Sequence, residues 1–323
     1  MRIFITGGTG FVGKALVRRL LAGGAQVRVL ARPSPRADAL EAAGAEVVRG
    51  DLSDTRAIAR TVEGAEIVYH AAAKVTGGGS REKFFEANVR GTDAVLQASL
   101  RAKPRRIIYL SSIAVYGLAE PDETIDEDTP FDDHPEERDF YGWSKIEADR
   151  LIMKFAKHSA VPVTILRPGV IFGPGRPLPT ALIGARLGKL DIVFGRPSQP
   201  FPLIYIENLL DALELAAHSS DPRLLQYIVV DDDKLTLGQY HAARGKITGS
   251  RAIFLPTWPV VMAATVSHPV MRFVPADSGA FSRRQMLRAS QDRHYSTRRI
   301  RNELGWTPKV SLAEAIERTL AGQ

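Results

Sequence analysis

Cysteine is absent from the 323-residue chain. Disulfide bonds, thiolate nucleophiles and cysteine-bound metals are therefore excluded, and the composition suits a reducing compartment. The sequence also lacks an apolar run of the roughly 18–20 residues that a membrane-spanning helix needs. It enters a strand pattern at Arg2 without the charged and apolar regions of a signal peptide. We therefore expect a cytoplasmic protein, and we predict no metal site.

Acidic residues are outnumbered, because Lys and Arg total 43 against 36 Asp and Glu, a formal net charge of +7. Much of the excess lies between Arg283 and Arg301, where Asp292 is the sole acid. No aromatic-interleaved basic motif accompanies this cluster, so we expect a solvated basic face and no nucleic-acid partner. The hydrophobic fraction of 45% is ordinary for a globular protein, and the length allows two domains.

A glycine-rich turn follows the first apolar run, Arg2–Thr6, and leads into a helical pattern. Gly7 permits a tight turn, Gly10 lets the backbone approach a pyrophosphate, and Gly13 allows the helix to pack on the strand. The N–H groups of the first helical turn then face the phosphates. An ordinary turn without a ligand is the alternative. We assign to the dinucleotide site Gly7, Gly10, Phe11, Val12 and Gly13.

The end of the second predicted strand, Gln26–Leu30, carries basic residues where an acid would select NAD. Arg32 and Arg36 can pair with a 2′-phosphate, and Ser34 can donate to it. This pattern predicts a preference for NADP over NAD. The alternative is that Arg32 stacks on adenine and that either cofactor binds.

Three further segments are assigned to the cofactor site. Asp51, beside Leu52, could accept from the adenine amino group, or Asp51 or Ser53 could cap the next helix. The small residues Ala71, Ala72 and Ala73 end the fourth strand and let a cofactor lie against the backbone. The residues after the sixth strand, Pro168, Gly169 and Val170, complete the set. His70 receives no role, and Gly77–Gly79 is interpreted as a flexible lid.

Strand patterns alternate with helical patterns up to about residue 170. This alternation predicts an α/β fold with a parallel sheet wound on both faces, the Rossmann type. We place the dinucleotide-binding domain at 1–170, with 203–218 returning to it, and a smaller α/β substrate-binding cap at 171–323. Within the long helix predicted over Arg81–Arg101, Asn88 interrupts the buried side. Because a buried amide needs partners, Asn88 is expected to tie this helix to a neighbouring strand and to serve the cofactor site.

Tyr141 and Lys145 lie four residues apart on one predicted helix and therefore share a face. A nearby ammonium and an oxidised nicotinamide favour the phenolate form of a tyrosine, whose ordinary pKa is about 10. Tyr141 could then exchange a proton with a substrate hydroxyl while hydride moves to or from the nicotinamide. Ser112, after the fifth strand, could hold the same oxygen, and Lys145 could reach the nicotinamide ribose. A helix with an exposed lysine and an interfacial tyrosine is the alternative.

Together these motifs resemble the extended short-chain dehydrogenases/reductases, the NAD-dependent epimerase/dehydratase superfamily. The resemblance extends to Leu304–Pro308 near the end of the chain. It implies a Rossmann domain with a C-terminal cap, a homodimer, and catalysis by three residues. The segments that carry the resemblance are Gly7–Gly13, Asp51–Leu52, His70–Ala72, Asn88, Ser112, Tyr141 with Lys145, and Arg167–Pro168.

Two positions depart from the nucleotide-sugar branch of that family. Val170 stands where an Asn usually contacts the sugar-nucleotide phosphates, and Phe201 stands near the position of a second phosphate-binding Arg. The chain is more similar to the 3β-hydroxysteroid dehydrogenase-like branch, which implies a largely apolar secondary alcohol or ketone as substrate. A nucleotide-sugar epimerase or dehydratase that retains NAD, and a non-catalytic NAD(P) sensor, are the alternative functions.

The stretch Ile253–Pro275 is strongly apolar. It could be a core helix of the cap, the lining of an apolar substrate pocket, or a segment that makes weak peripheral contact with a membrane beside the arginine cluster.

Overall fold

The structure is a computed structural model, and it describes residues 1–75, 79–117, 123–176, 184–232, 234–256 and 291–322. The regular elements up to residue 115 alternate as the sequence predicts. They are β1 (Arg2–Thr6), α1 (Phe11–Ala22), β2 (Gln26–Ala31), α2 (Pro35–Ala42), β3 (Glu46–Arg49), α3 (Thr55–Val62), β4 (Ile67–His70), α4 (Arg81–Phe85), α5 (Gly91–Ala102) and β5 (Arg106–Leu110).

Two further sets of elements follow β5. The first set comprises β6 (Thr124–Ile125), α6 (Phe140–His158), β7 (Val163–Pro168), β8 (Val170–Phe172), β9 (Gly184–Leu187), β10 (Leu190–Phe194) and β11 (Leu203–Tyr205). The second set comprises α7 (Ile206–His218), β12 (Leu225–Val229), α8 (Leu237–Thr248), β13 (Arg251–Leu255), β14 (His294–Tyr295), α9 (Arg298–Leu304) and α10 (Leu312–Ala321).

Seven strands form one sheet in the order β12-β7-β5-β4-β1-β2-β3. The pairings among β1 to β5 and between β5 and β7 are parallel. The central strands are largely apolar and buried because helices cover both faces of such a sheet; β4, for example, is buried throughout. The predicted Rossmann-type sheet is therefore confirmed.

Side-chain caps set the starts of several helices. The Ser34 hydroxyl accepts from the Ala37 N–H at the start of α2, and Ser311 does the same for α10. At α3 the cap is Asp54, whose carboxylate accepts from the Ala57 N–H. The alternative in which Asp51 or Ser53 caps this helix is wrong, because Asp51 instead accepts from the backbone and side chain of Ser53.

The long helix predicted over Arg81–Arg101 is interrupted. Residues Glu86–Arg90 form a single π turn between α4 and α5. Asn88 lies within this turn and is buried. Single π turns inside helices commonly occur at functional positions, because the extra residue turns a side chain toward a new direction. The turn therefore gives Asn88 a different direction from a regular helix.

Two compact units divide the chain. The first comprises Met1–Val115, Phe140–Arg167 and Leu210–Tyr227; the second comprises Tyr116–Asp139, Pro168–Leu209 and Ile228–Gln323. The first unit carries the hydrophobic core beneath the large sheet, with fully buried residues such as Phe4, Val68 and Ile165.

The second unit contains smaller sheets. Strand β10 lies between β9 and β13, and β6 pairs with β14. Strand β6 lies in the acidic, proline-rich segment before α6, whose composition is unfavourable for a regular element. Its pairing with β14 joins residues about 170 positions apart in the chain, which local composition does not reveal.

A buried asparagine holds the C-terminal segment of the second unit. The Asn208 side chain accepts from the Lys309 and Val310 N–H groups and donates to the Val310 carbonyl. Its backbone carbonyl accepts from the buried Trp306 indole. These bonds explain the Leu304–Pro308 motif, whose Gly305 ends α9 in the left-handed conformation.

Candidate active site

The glycine turn after β1 is a tight cradle. Gly7 has φ +75°, and a Cβ there would lie 2.7 Å from the backbone of Ala72. A Cβ at Gly13 would overlap the Gly7 carbonyl oxygen. Gly10 is exposed, closes the turn by donating from its N–H to that carbonyl at 2.9 Å, and is the N-cap of α1 without a capping side chain. The donor set and the close backbone approach fit a dinucleotide phosphate; the contacts of Gly7, Gly10, Phe11, Val12 and Gly13 with a cofactor stay predictions.

Exposed arginines follow β2. Arg32 and Arg36 are both exposed, and neither forms an ion pair within the described part of the chain. Ser34 is used locally, because its hydroxyl accepts from Ala37 and donates to the Arg32 carbonyl. Hydrogen bonds from Ser53, with the Arg32 charge as a further contribution, hold the pKa of Asp51 below its usual range. Asp51 is therefore an anion beside a cation at the edge of the sheet.

His70, at the end of β4, is a buried structural residue. Its Nδ1 lies 2.6 Å from the Thr6 hydroxyl and its Nε2 lies 2.8 Å from the Thr92 hydroxyl. Because Thr92 donates its own proton to the Asn88 carbonyl, Nε2 must carry the imidazole proton. Burial, with the Lys145 charge adding to it, lowers the pKa of His70 to about 3. His70 therefore stays neutral and links three elements.

Asn88 connects the π turn to two neighbouring segments. Its Oδ1 accepts from the Lys74 N–H at 2.6 Å, and its Nδ2 donates to the Lys74 carbonyl at 3.0 Å. The same Nδ2 donates to the Ser144 hydroxyl on α6 at 2.8 Å, and Ser144 donates to the Tyr141 carbonyl. Asn88 thus fixes the segment that follows Ala71, Ala72 and Ala73 and the first turn of α6. Both amide protons are used by protein groups.

The two serines after β5 have different partners. The Ser111 hydroxyl is buried and donates to the Asp149 carboxylate at 2.5 Å. The Ser112 hydroxyl is half-buried and accepts from the Ala114 N–H at 3.1 Å. Among the described residues no group accepts the hydroxyl proton of Ser112, so this proton can be donated to a ligand, whereas that of Ser111 is committed to Asp149.

Lys145 is buried in the middle of α6, with 1% of its surface exposed. Its Nζ donates to the Tyr109 hydroxyl and to the Leu110 carbonyl, each at 2.7 Å. Burial lowers the pKa of Lys145 to about 8, and the Asp149 charge opposes that shift. An ammonium has three N–H donors, so one remains for a cofactor ribose or for Tyr141.

Tyr141 is half-buried in the first turn of α6. Its position, one helical turn before Lys145, places both side chains on one face. The Tyr109 hydroxyl in turn accepts from the Lys145 Nζ at 2.7 Å. Tyr141, Tyr109 and Lys145 therefore form one cluster beside the end of β5.

A buried ion pair supports this cluster. The Arg167 Nε donates to the Asp149 carboxylate at 2.9 Å, and both side chains are fully buried. Arg167 also donates to the Gln226 side chain at 2.7 Å. Asp149 lies one turn after Lys145 on α6, so the pair joins α6 to β7 and β12. Sequence reasoning noted Arg167 in its motif but missed Asp149, for which the i+4 spacing from Lys145 was the available signal.

Tyr109 was missed as well. A tyrosine near the end of an otherwise apolar buried strand is a signal, because a buried phenol hydroxyl usually finds a partner. The sequence could not show that this partner is Lys145.

The residues after β7 belong to the second unit. The Gly169 N–H donates to the Val229 carbonyl at 3.0 Å, and the Val170 N–H donates to the Pro202 carbonyl at 2.8 Å. A Cβ on Gly169 would overlap the same Pro202 carbonyl. The backbone at Pro168–Val170 is therefore held by the protein itself, and its contact with a cofactor stays a prediction.

Phe201 is buried and packs edge-on against Tyr240, with ring centroids 5.4 Å apart. This position therefore serves apolar packing in the second unit. Of the apolar stretch at 253–275, residues up to Pro256 are described, and Ile253 and Leu255 are 48% and 39% exposed. The rest of the stretch, Gly77 and Gly78 of the expected lid, and Arg283, Arg284 and Arg288 of the arginine cluster lie outside the described residues. Among those that are described, no helix is both long and apolar enough to cross a bilayer.

Comparison with known proteins supports the motif assignment. The family model described as the NAD dependent epimerase/dehydratase family matches residues 3–226. A 2-alkyl-3-oxoalkanoate reductase of Shewanella oneidensis is 32% identical over 249 residues, which cover 73% of this chain and 63% of that reductase. Sterol demethylase protein B of Methylococcus capsulatus is 29% identical over 98% of this chain and 97% of its own length.

Similarity to solved structures concerns the fold. The crystal structure of UDP-glucuronic acid 4-epimerase from Bacillus cereus in complex with NAD has a TM-score of 0.75. The two chains are 20% identical, and the match covers 100% of this chain and 98% of the epimerase.

Proposed function

The chain belongs to the NAD dependent epimerase/dehydratase family, and from that premise we propose which reaction its site performs. The protein is an NAD(P)-dependent oxidoreductase of the extended short-chain type. It transfers hydride reversibly at a secondary alcohol or ketone carbon of a largely apolar substrate. The observation that carries this proposal is the buried Lys145 ammonium, held beside β5 with Tyr141 one helical turn away.

The chain's own residues account for the proton transfer. When bound, NAD(P) supplies or accepts the hydride. Tyr141 donates its phenol proton to the substrate oxygen in reduction and takes it back in alcohol oxidation. Lys145 stabilises the phenolate by its charge, and the Ser112 hydroxyl donates to the same substrate oxygen.

Substrate polarity is argued from two positions. Phe201 is buried against Tyr240, so the side chain at this position is apolar and does not bind a diphosphate. At Val170, the family's amide is replaced by an apolar side chain. Both features favour a sterol-like or other keto compound over a nucleotide sugar, and the similarity to a keto-acid reductase and a sterol-modifying protein supports this choice.

The experiment is a turnover assay with a panel of sterol-like ketones, β-keto compounds and UDP-sugars, each with NADPH and NADH. We expect net oxidation of the reduced cofactor with a ketone. Tyr141→Phe should abolish turnover while the variant still binds the cofactor in a fluorescence titration. Turnover of a UDP-sugar without a net change in nicotinamide absorbance, with cofactor retained through purification, would instead support the epimerase alternative. Full function of Tyr141→Phe would support the sensor.

NADP is the proposed cofactor, with NAD as the alternative. Arg32, just after β2, and Arg36, in the first turn of α2, are exposed, and guanidinium groups pair with phosphate, which supports a 2′-phosphate as their ligand. We expect the double variant Arg32→Ala/Arg36→Ala to raise KM for NADPH about tenfold or more, because one or two charge-assisted contacts with the 2′-phosphate are lost. KM for NADH should stay nearly unchanged. A wild type that prefers NADH would contradict the proposal.

Two further proposals concern the oligomeric state of the protein and its contact with membranes. We propose a homodimer, to be measured by light scattering. We also propose weak peripheral contact with membranes, supported by the exposed Ile253 and Leu255 on β13. Salt-sensitive pelleting with anionic vesicles is the expected result, and recovery of all protein in the supernatant at low salt would contradict it. Cytoplasmic location stays a prediction.

A further inference from the structure

Tyr109 is the nearest side-chain partner of the Lys145 ammonium. Its hydroxyl accepts from Nζ at 2.7 Å, and Nζ also lies 4.3 Å from the Tyr109 ring centroid. The other protein acceptor is a backbone carbonyl, that of Leu110. Within the described part of the chain, Tyr109 is therefore the side chain that hydrogen-bonds to an ammonium almost completely removed from water.

Tyr109 remains a neutral phenol. Burial, with the Asp149 and Tyr141 charges adding to it, keeps its pKa well above its usual range. A neutral oxygen can accept a hydrogen bond from an ammonium without forming a fixed ion pair. It stabilises the charged form of Lys145 against desolvation, but less than a carboxylate would. Such a partner leaves the lysine charge responsive to its surroundings.

From this geometry we propose that Tyr109 is a positioning residue for Lys145: its hydroxyl fixes the ammonium in place and keeps it charged while Tyr141 ionises. The inference rests on the proposed function for its catalytic consequence, although the Tyr109–Lys145 contact itself does not. Tyr109 has no assigned contact with substrate or cofactor, so it acts through Lys145.

Several ionisable groups share this environment, and each element packed around the lysine contributes. The ring of His70 lies 5.5 Å from that of Tyr109 and stays neutral, and Asp149 is neutralised by Arg167. His70 is therefore uncharged beside the lysine, and the Asp149 charge is compensated by Arg167, so neither group takes part in the change proposed at Lys145 and Tyr141. The groups are Tyr109 on β5, Tyr141 and Asp149 on α6, His70 on β4 and Arg167 on β7.

Removal of the Tyr109 hydroxyl should shift the pKa values of Lys145 and Tyr141 in opposite directions. Without it the charged form of Lys145 loses a hydrogen bond in a dry site, so the pKa of Lys145 falls. A lysine that deprotonates earlier no longer favours the Tyr141 phenolate, so the pKa of Tyr141 rises. The pH range in which Lys145 is charged and Tyr141 is ionised therefore narrows from both sides.

The test compares wild type with Tyr109→Phe, which keeps the ring. Tyr69→Phe is the matched control, because Tyr69 is a buried tyrosine on the adjacent strand whose hydroxyl donates to the Leu213 carbonyl at 3.4 Å. The Lys145 Nζ is titrated by side-chain NMR in the cofactor-free protein, with Lys145→Met identifying its resonance. We expect wild type to titrate near pH 8 and Tyr109→Phe about half a pH unit or more lower, with no change in Tyr69→Phe.

A second measurement needs no substitution. In wild type the Nζ protons of Lys145 should show a nuclear Overhauser effect to the Tyr109 ring. An unchanged pKa of Lys145 in Tyr109→Phe, or the absence of that effect, would overturn the proposal even if the enzyme is active. In alcohol oxidation, Tyr109→Phe should lower kcat more than it raises KM and narrow the pH profile; an unaltered profile would also count against it. A wild type without turnover on the whole panel would refute the proposed function, but not the NMR result.

Discussion

Two buried cations in the first unit are held in opposite ways. Arg167 faces the Asp149 carboxylate and the Gln226 amide, so its charge is neutralised where it lies. Lys145, one helical turn from Asp149, is bonded to a phenol and a carbonyl, both neutral. The pKa of Lys145 is lowered to about 8 by this burial. The charge of Arg167 is therefore compensated by a carboxylate, whereas Lys145 can lose its proton near neutral pH.

The difference separates a structural role from a functional one. Removing one partner of a buried ion pair strongly destabilises the folded protein, because the other charge is left without compensation. Burying a lysine among neutral groups costs desolvation free energy, and no opposite charge compensates that cost. Groups with strongly shifted pKa values in such surroundings are typical of active sites. The comparison predicts that the two cations respond to mutation in different measurements.

The largest expected effect is on activity, from Lys145→Met. This change removes the charge that favours the Tyr141 phenolate, and kcat/KM should fall about 10³-fold, or ~4 kcal/mol of transition-state stabilisation. The free energy of unfolding should stay within ~1 kcal/mol of wild type or rise, because a desolvated charge is replaced by an apolar chain. Kinetics and urea denaturation of the same preparations measure both. Strong destabilisation with intact turnover would reverse the distinction between the two cations.

Asp149→Asn should give the next largest effect, on stability. It leaves Arg167 buried without its carboxylate and weakens the contact with Ser111, so we expect a loss of about 3–5 kcal/mol in the free energy of unfolding. Glu147→Gln is the matched control on the same helix, since its ion pair with Arg150 is solvent-accessible and contributes ~1 kcal/mol or less. Equal losses in the free energy of unfolding for the two substitutions, measured by urea denaturation, would show that burial does not decide how much these ion pairs contribute to stability.

A smaller effect is expected at Asp231 in the second unit, a half-buried acid with neutral hydrogen-bond donors. It accepts from the Tyr205 N–H and the Asn208 amide, and burial raises its pKa to about 7. Because the folded state binds the proton more tightly than the unfolded state, this contribution to stability is present below about pH 4 and is lost as the pH rises through about 7. Asp231→Asn should flatten that decline.

Urea denaturation of wild type and Asp231→Asn at pH 5 and pH 8 measures this prediction. The stability advantage of wild type over the variant should shrink at the higher pH. An advantage that grows with pH would mean that Asp231 is ionised in the folded protein and that its pKa is not raised.

Local patterns in the sequence determined the parts of this protein that depend on near neighbours. The glycine turn between β1 and α1, the parallel strands and the shared face of Tyr141 and Lys145 follow from spacing and periodicity, because steric and hydrogen-bonding limits act over a few residues. The same limits did not predict the π turn, whose extra residue depends on the partners of Asn88.

Contacts between distant segments were decided by the tertiary structure alone. The sequence assigned the substrate-holding role to Ser112, but it could not show that Ser111 is committed to the carboxylate of Asp149, 38 positions away. Likewise, Tyr109 and Lys145 meet because β5 and α6 pack together, 36 residues apart. Burial and the pairing of charges are properties of that packing, so the tertiary structure, and not the local sequence, decides that the pKa of Lys145 is lowered.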